Sequence, residues 1–399
     1  MARVRHTGRT LLKVLLALAV SWLAVECLLF VFNDRVFSRS PNIYDPDLGF
    51  KIRPGYAWNG VVSNAFGFND RDYPLERRPG TYRVVILADS FNWAGGADNF
   101  THVLERRLAA RFGPGRVEVI NAGYPGSHTG DQLAVLEKYG LAYRPDLVVL
   151  GFFVGNDFYD ADRWQRLVAV GPALVHINVA HGRERALFGQ PLVPSSRLRL
   201  WWQTTRTEAA WLRARRQAEA AEQPPQADAS SGALPPGGPR GGPPAPYAFT
   251  PQYREIMSTR MQIVGPAWRG GLEVRKDFAF HNLKAMSDLL GARDIDFVVL
   301  AYPDEFQVDE AQRRSLVDQL ALDVTGYEWD LPQALLAAFC DKNHIAFHDL
   351  LPAFRAAHAA GTRLYLLNDS HWNAAGNALA AREIGRILEP RVRAFFGAR

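Results

Sequence analysis

The sequence predicts an α/β fold: a three-layer, doubly wound parallel sheet with helices on both faces. A transmembrane helix precedes it and a partly disordered insertion enlarges it. Three observations carry that prediction. Short apolar runs of strand length alternate with segments of helical spacing. Polar clusters fall just past the ends of several of those runs. One long apolar stretch sits behind a basic flank at the N-terminus.

That stretch runs from Val14 to Phe32 as VLLALAVSWLAVECLLFVF. A helix of that length covers about 28 Å, close to a bilayer core. Residues 1–13 hold Arg3, Arg5, Arg9 and Lys13 and no acid, so four of the net +5 charges lie there. The positive-inside rule puts residues 1–13 in the cytoplasm. The body then lies on the periplasmic or extracellular side of the inner, cytoplasmic membrane. A retained signal anchor and a cleaved signal peptide compete here; the full-span length and the lack of an A-x-A site favour the anchor. Glu26 is costly inside lipid unless it lies near the interface or meets a partner.

The remaining composition is ordinary: 48% hydrophobic and 22% charged over 399 residues. This excludes global disorder, a collagen-like repeat and a multi-span membrane protein. The pI of about 9.2 hints at a polyanion. Outside residues 1–13 the body is close to neutral, and no nucleic-acid partner is expected. Cys27 and Cys340 form no CxxC pair and are expected not to bridge.

Residues 33–80 read as a turn-rich lead-in. Strands are expected at Val84–Ala88, Val117–Ile120, Leu147–Val154, Ile295–Ala301 and Ile345–His348. Helices are expected at Phe100–Phe112, Gln132–Leu141, Phe278–Leu290, Leu331–Cys340 and Ala374–Leu388. The domain would comprise residues 81–157 and 276–399, interrupted by an insertion over 158–275. Within it, residues 223–246 hold eight prolines and five glycines in 24 residues and read as a flexible loop. Trp201–Gln217 reads as a basic helix bearing Trp201, Trp202 and Trp211. Packing of its Trp side chains on the domain, with a solvated Arg face, is favoured over a membrane-surface or polyanion role.

In an open parallel sheet, ligands bind beyond the carboxyl ends of the strands. Ala88-Asp89-Ser90-Phe91 ends the first strand. Asn121-Ala122-Gly123-Tyr124-Pro125-Gly126 follows the second, and Gly155-Asn156-Asp157 the third. Asn368-Asp369-Ser370-His371-Trp372-Asn373 precedes the last helix. A serine needs a base within hydrogen-bond reach, and a histidine serves when an acid orients it. Ser90, His371 and Asp369 have those types. Asn156, Gly126 and the Ser90 amide offer donors for an oxyanion. Asp89 is read as ordering the turn and not as an acid. His128 is read as a site-lining residue or a surface-loop histidine, with equal weight.

These four blocks resemble the SGNH/GDSL hydrolase superfamily across about residues 60–390, apart from the Pro-rich insertion. The lead-in Asn64-Ala65-Phe66-Gly67-Phe68 is similar to its membrane-anchored bacterial members. The resemblance implies an SGNH-hydrolase, flavodoxin-like sheet. It also implies Ser90 as nucleophile, Gly126 and Asn156 as oxyanion residues, and Asp369 and His371 as acid and base. Ala88 stands where the family has Gly. The last block reads D-x-H, with Asn368 at the acid position of the commoner D-x-x-H. D-x-H followed by W-N resembles the alginate-type O-acetyltransferases.

The expected activity is a serine ester hydrolase on an acylated glycan, a lipid or a small ester. One alternative is an O-acetyltransferase of a cell-surface polysaccharide using the same residues, with a membrane-bound acyltransferase as candidate partner. Another is a non-catalytic anchored assembly or glycan-binding subunit. With no G-x-x-x-x-G-K-[ST], H-E-x-x-H or EF-hand pattern, no cofactor and no metal are expected.

Overall fold

The computed structural model of the chain describes residues 2–38, 40–58, 60–160, 165–178, 185–206, 247–266 and 271–397. The Pro/Gly-rich segment 223–246 and Trp211 lie outside them. The chain divides into two compact units: Met1–Phe50 with Arg166–Pro246, and Lys51–Gln165 with Tyr247–Arg399.

The second unit carries the sheet. Its strands are β1 (Tyr82–Leu87), β2 (Val117–Asn121), β3 (Leu147–Phe153), β4 (Asp296–Tyr302) and β5 (Ala346–Asp349). Their spatial order is β2-β1-β3-β4-β5, and every pairing is parallel. This is a doubly wound order whose direction reverses between β1 and β3, the switch point at which sheets of this kind bind ligands. The central strands are wholly buried, as continuous apolar runs such as LVVLGFF require in a sheet covered on both faces.

The period of two divides their side chains between two layers. Val84, Ile86, Val149 and Leu300 join one core with Leu104 and Leu108 of α2 (Phe100–Phe112) and Ile384 and Leu388 of the C-terminal helix (Ala374–Gly397). A π turn at Leu136–Gly140 lies by Val85 on the opposite side. That turn replaces the end of the helix expected over Gln132–Leu141, which stops as α3 (Thr129–Val135). Helices not read from the sequence also belong here, among them α4 (Pro251–Arg260), Glu310–Leu320 and Leu351–Ala359.

A buried ion pair fixes the lead-in to the sheet. Arg83 Nε of β1 lies 2.6 Å from Glu118 Oε2 of β2, both side chains fully buried. The guanidinium also donates to the carbonyls of Pro74, Leu75 and Tyr143.

The first unit holds α1 (Ala2–Val31), of which Arg9–Val31 is long and apolar enough to cross a membrane, with a mean hydropathy of 2.5. A hairpin of Gln165–Val170 and Ala173–Asn178 builds a small core from Val168, Val170 and Ile177, with Val193 and Leu200 against it. Gly49, at φ +78°, lets the chain pass this hairpin, because a Cβ there would lie 2.2 Å from the Leu167 carbonyl oxygen. Residues 197–206 form the described part of the basic helix. Its Trp residues differ from expectation. Leu200 takes the inward position, while Trp201 and Trp202 are exposed.

Candidate active site

Ser90 follows β1 by three residues and opens a 3-10 turn, Ser90–Asn92. Asp89 caps that turn, its Oδ1 accepting the Phe91 N–H at 3.0 Å. The cap points the Asp89 side chain inward and leaves Ser90 partly exposed. The Ser90 hydroxyl lies 2.7 Å from His371 Nε2. On the other side of the imidazole, Nδ1 lies 2.5 Å from Asp369 Oδ1, which also accepts the His371 backbone N–H at 3.0 Å. Burial pushes the Asp369 carboxyl up, but the hydrogen bonds and charge of His371 outweigh it and hold it below its ordinary range. A carboxylate there favours the tautomer with its proton on Nδ1, leaving Nε2 to take one from a hydroxyl.

The loop owes its position to Trp372. That ring is buried against Phe91, Tyr302 and Phe354, with centroids 4.7 to 5.1 Å apart. Asn373 then caps the final helix, accepting the Gly376 N–H at 3.0 Å. Asn368 turns away from His371. At φ +52°, its amide exchanges hydrogen bonds with the Thr250 N–H and the Ala248 carbonyl. Asp369 thus contacts the imidazole, while Asn368, at the acid position of the commoner D-x-x-H, is bonded elsewhere.

The other expected residues gather around the same turn. Tyr124 N–H donates to the Ala88 carbonyl at 2.9 Å, tying the second block beside the Ser90 turn. Two residues on, Gly126 is exposed at φ +70°. Gly123 is required by contact: a Cβ there would fall 1.9 Å from Asn92 Cβ. Asn156 Nδ2 donates to Asp89 Oδ2 at 3.1 Å, joining the third block to the first. His128 caps α3, its Nδ1 accepting the Gly130 N–H at 3.0 Å. That bond accounts for it as a helix cap.

Buried charge surrounds the turn. Asp89, Asp157 and Asp304 are fully buried. Burial raises all three carboxyls, and Asp89 beside it raises Asp157 further. Arg260 at the end of α4 opposes this at Asp89 and Asp304. Its Nη1 lies 3.6 Å from Asp304 Oδ2, and its guanidinium sits over the Phe153 ring. Gly155 makes room for Asp304, whose Oδ2 would be 2.3 Å from a Cβ. Neither Asp304 nor Arg260 was among the residues singled out from the sequence. Asp304 had a signal, since it follows a strand end as the other blocks do. Arg260 had none, because it lies on an insertion helix.

A hydroxyl paired with an oriented imidazole, beside amide donors, is an arrangement suited to acyl transfer. Residues 275–397 match the family model described as an SGNH hydrolase-like domain of the acetyltransferase AlgX. No curated protein matches the chain. Among solved structures, the chain resembles a lipase/acylhydrolase from Enterococcus faecalis at 16% identity. That match covers 78% of this chain and 97% of the other, with TM-score 0.36. It also resembles the acetylxylan esterase Axe2 of Geobacillus stearothermophilus at 13% identity, covering 79% and 97%, with TM-score 0.39. The segment that matches the AlgX-type SGNH hydrolase-like domain includes Asp369 and His371.

Proposed function

We propose that the chain is a serine-dependent acyl ester hydrolase, held in the inner membrane by α1 with its site on the periplasmic or outer side. The observation that carries this is the Ser90–His371–Asp369 relay, at 2.7 and 2.5 Å. Ser90 Oγ attacks the ester carbonyl carbon as its proton passes to His371 Nε2. The carbonyl electron pair moves onto oxygen, where the Ser90 and Gly126 amides and the Asn156 side chain stabilise it. The tetrahedral intermediate collapses, breaking the bond to the alcohol oxygen, which takes the proton from His371. Water then attacks the acyl-serine with His371 as base, releasing the acid and restoring Ser90.

Transfer of the acyl group to a sugar hydroxyl is the second reading. The match to an acetyltransferase domain over residues 275–397 supports it. The acceptor hydroxyl simply replaces water in the last step. An acylated glycan or other acyl ester fits both readings, and a membrane-bound acyltransferase would be the donor partner in the second.

The test is turnover of a short-chain aryl ester by the full-length chain. Ser90→Ala is expected to abolish it and to abolish labelling by a fluorophosphonate. Unchanged turnover would overturn the assignment, and failure of the unmutated chain to label would favour the non-catalytic reading. Product analysis with a donor ester and a glycan separates hydrolysis from transfer.

A further inference from the structure

The first unit contains a feature that the proposed chemistry leaves unused. Glu26, inside the apolar run of α1, has its carboxylate satisfied by another segment. It accepts from Ser196 Oγ at 2.5 Å, the Arg197 N–H at 2.9 Å and the Leu198 N–H at 3.2 Å. Ser196 in turn caps the helix over 197–206, accepting the Arg199 N–H at 3.1 Å. The negative charge therefore meets the positive end of a helix, which offsets its cost in an apolar setting. Arg197 adds two ties. Its guanidinium lies over the Phe30 ring, and it donates to the Pro191 carbonyl at 2.9 Å. That carbonyl belongs to a short hairpin, Ala186–Leu187 with Gln190–Pro191.

Helix and hairpin are thus fastened to the last turns of α1, and both expose apolar surface there. Trp202 is 59% exposed and Phe188, at the hairpin tip, 77%. Trp201 and Leu187 are exposed as well. Phe188 has φ +50° and Gly189 φ +71°, a turn that favours Asn-Gly. A bulky residue held in that conformation and turned into water gains nothing from folding alone. Arg199, Trp202 and Arg206 recur at helical spacing on one exposed face of the helix. Aromatic and basic side chains sharing a face suit the boundary between acyl chains and lipid phosphates.

The depth agrees. Glu26 precedes the end of α1 at Val31 by five residues, about 7.5 Å along the axis. Interfacial helices bury their apolar face about 5–10 Å into the headgroup boundary.

We propose that the helix over 197–206 and the hairpin tip at Phe188 form a collar seated in the outer headgroup layer of the phospholipid bilayer that α1 crosses. Trp201, Trp202, Leu187 and Phe188 enter the acyl boundary, and Arg199 and Arg206 bind lipid phosphates. The collar rests on the proposal that α1 spans the membrane. It assigns part of the insertion a role in holding the first unit against the lipid surface.

The full-length chain is reconstituted in vesicles of phosphatidylcholine and phosphatidylglycerol carrying nitroxide lipids, labelled either near the glycerol or deep in the acyl chain. Emission lost on Trp201→Phe/Trp202→Phe isolates the collar, and emission lost on Trp22→Phe isolates the span. The collar signal is expected to be quenched at least twofold more by the shallow label than by the deep one. The Trp22 signal should show the reverse order. Deep quenching of Trp22 with an unquenched Trp201/Trp202 signal overturns the collar and leaves the anchor standing. An unquenched Trp22 overturns the anchor, and the collar with it.

Discussion

Asn156 donates its side-chain amide to the buried carboxylate of Asp89 at 3.1 Å, so the residue before the candidate nucleophile holds the candidate oxyanion donor. Asp89 meanwhile caps the turn that presents Ser90. One buried side chain therefore sets the relative position of nucleophile and donor. This explains why the chain tolerates a buried carboxyl whose ionised form burial disfavours.

Asn156→Ala removes the donor without touching Ser90 or His371. The expected loss is about 10²–10³ in kcat, the scale for one oxyanion-hole donor, with KM little changed. Steady-state kinetics on an aryl ester check this. A rise in KM at constant kcat would instead assign Asn156 to ground-state binding.

Asp369 and Asn368 are neighbours with different partners, and variants separate them. Asp369→Asn presents an amide to His371 Nδ1 and destabilises the needed tautomer. By analogy with other Ser-His-Asp sites, kcat should fall about 10⁴-fold. Asn368→Ala loses only the hydrogen bonds to residues 248 and 250 and should cost less than about tenfold. Equal losses would contradict the assignment of Asp369 as the orienting acid.

The sheet was legible because its strands carry apolar runs between turn residues, unbroken in Leu147–Phe153. Phe100–Phe112 was legible from apolar residues at helical spacing, and in the structure Asn99 caps it and Gly113 ends it. Glu310–Leu320 and Leu351–Ala359 were not read, being short segments whose position depends on tertiary packing. The site separated along the same line. Ser90, Asn156 and His371 sit in local blocks after strands or before a helix. Arg260 reaches Asp304 only through the path of the insertion, which spacing along the chain does not encode.

Asp70 makes stability depend on pH. Burial raises its carboxyl to about 8, against backbone hydrogen bonds from Asn121 and Arg71 that favour its charge; nearby Glu105 raises it further. Glu305 is likewise raised to about 8, chiefly by burial. Between an unfolded value of about 4 and these folded values, the native chain binds more protons than the unfolded chain. Stability is therefore highest near and below pH 4 from these two groups and falls as pH rises through 8. An Asp70→Asn variant in detergent is expected to lose roughly half of the fall in apparent Tm between pH 5 and pH 8. An unchanged slope would mean that Asp70 does not carry the linkage.

Arg83 and Glu118 form a pair whose cost and benefit can be separated. Their side chains are fully buried at 2.6 Å, and Arg83 also supplies donors to three carbonyls. Arg83→Ala leaves Glu118 charged or forces it to take up a proton, and it strips the carbonyls of Pro74, Leu75 and Tyr143. The expected loss is about 3–5 kcal/mol, the scale for breaking a buried pair from one side. Adding Glu118→Leu removes the orphaned charge and should recover part of that loss, because the desolvation penalty goes with it. The carbonyls stay unpaired, so recovery is incomplete. Melting of the two variants in the same detergent checks the order. A double variant less stable than Arg83→Ala alone would mean that Glu118 stabilises the sheet through something other than Arg83.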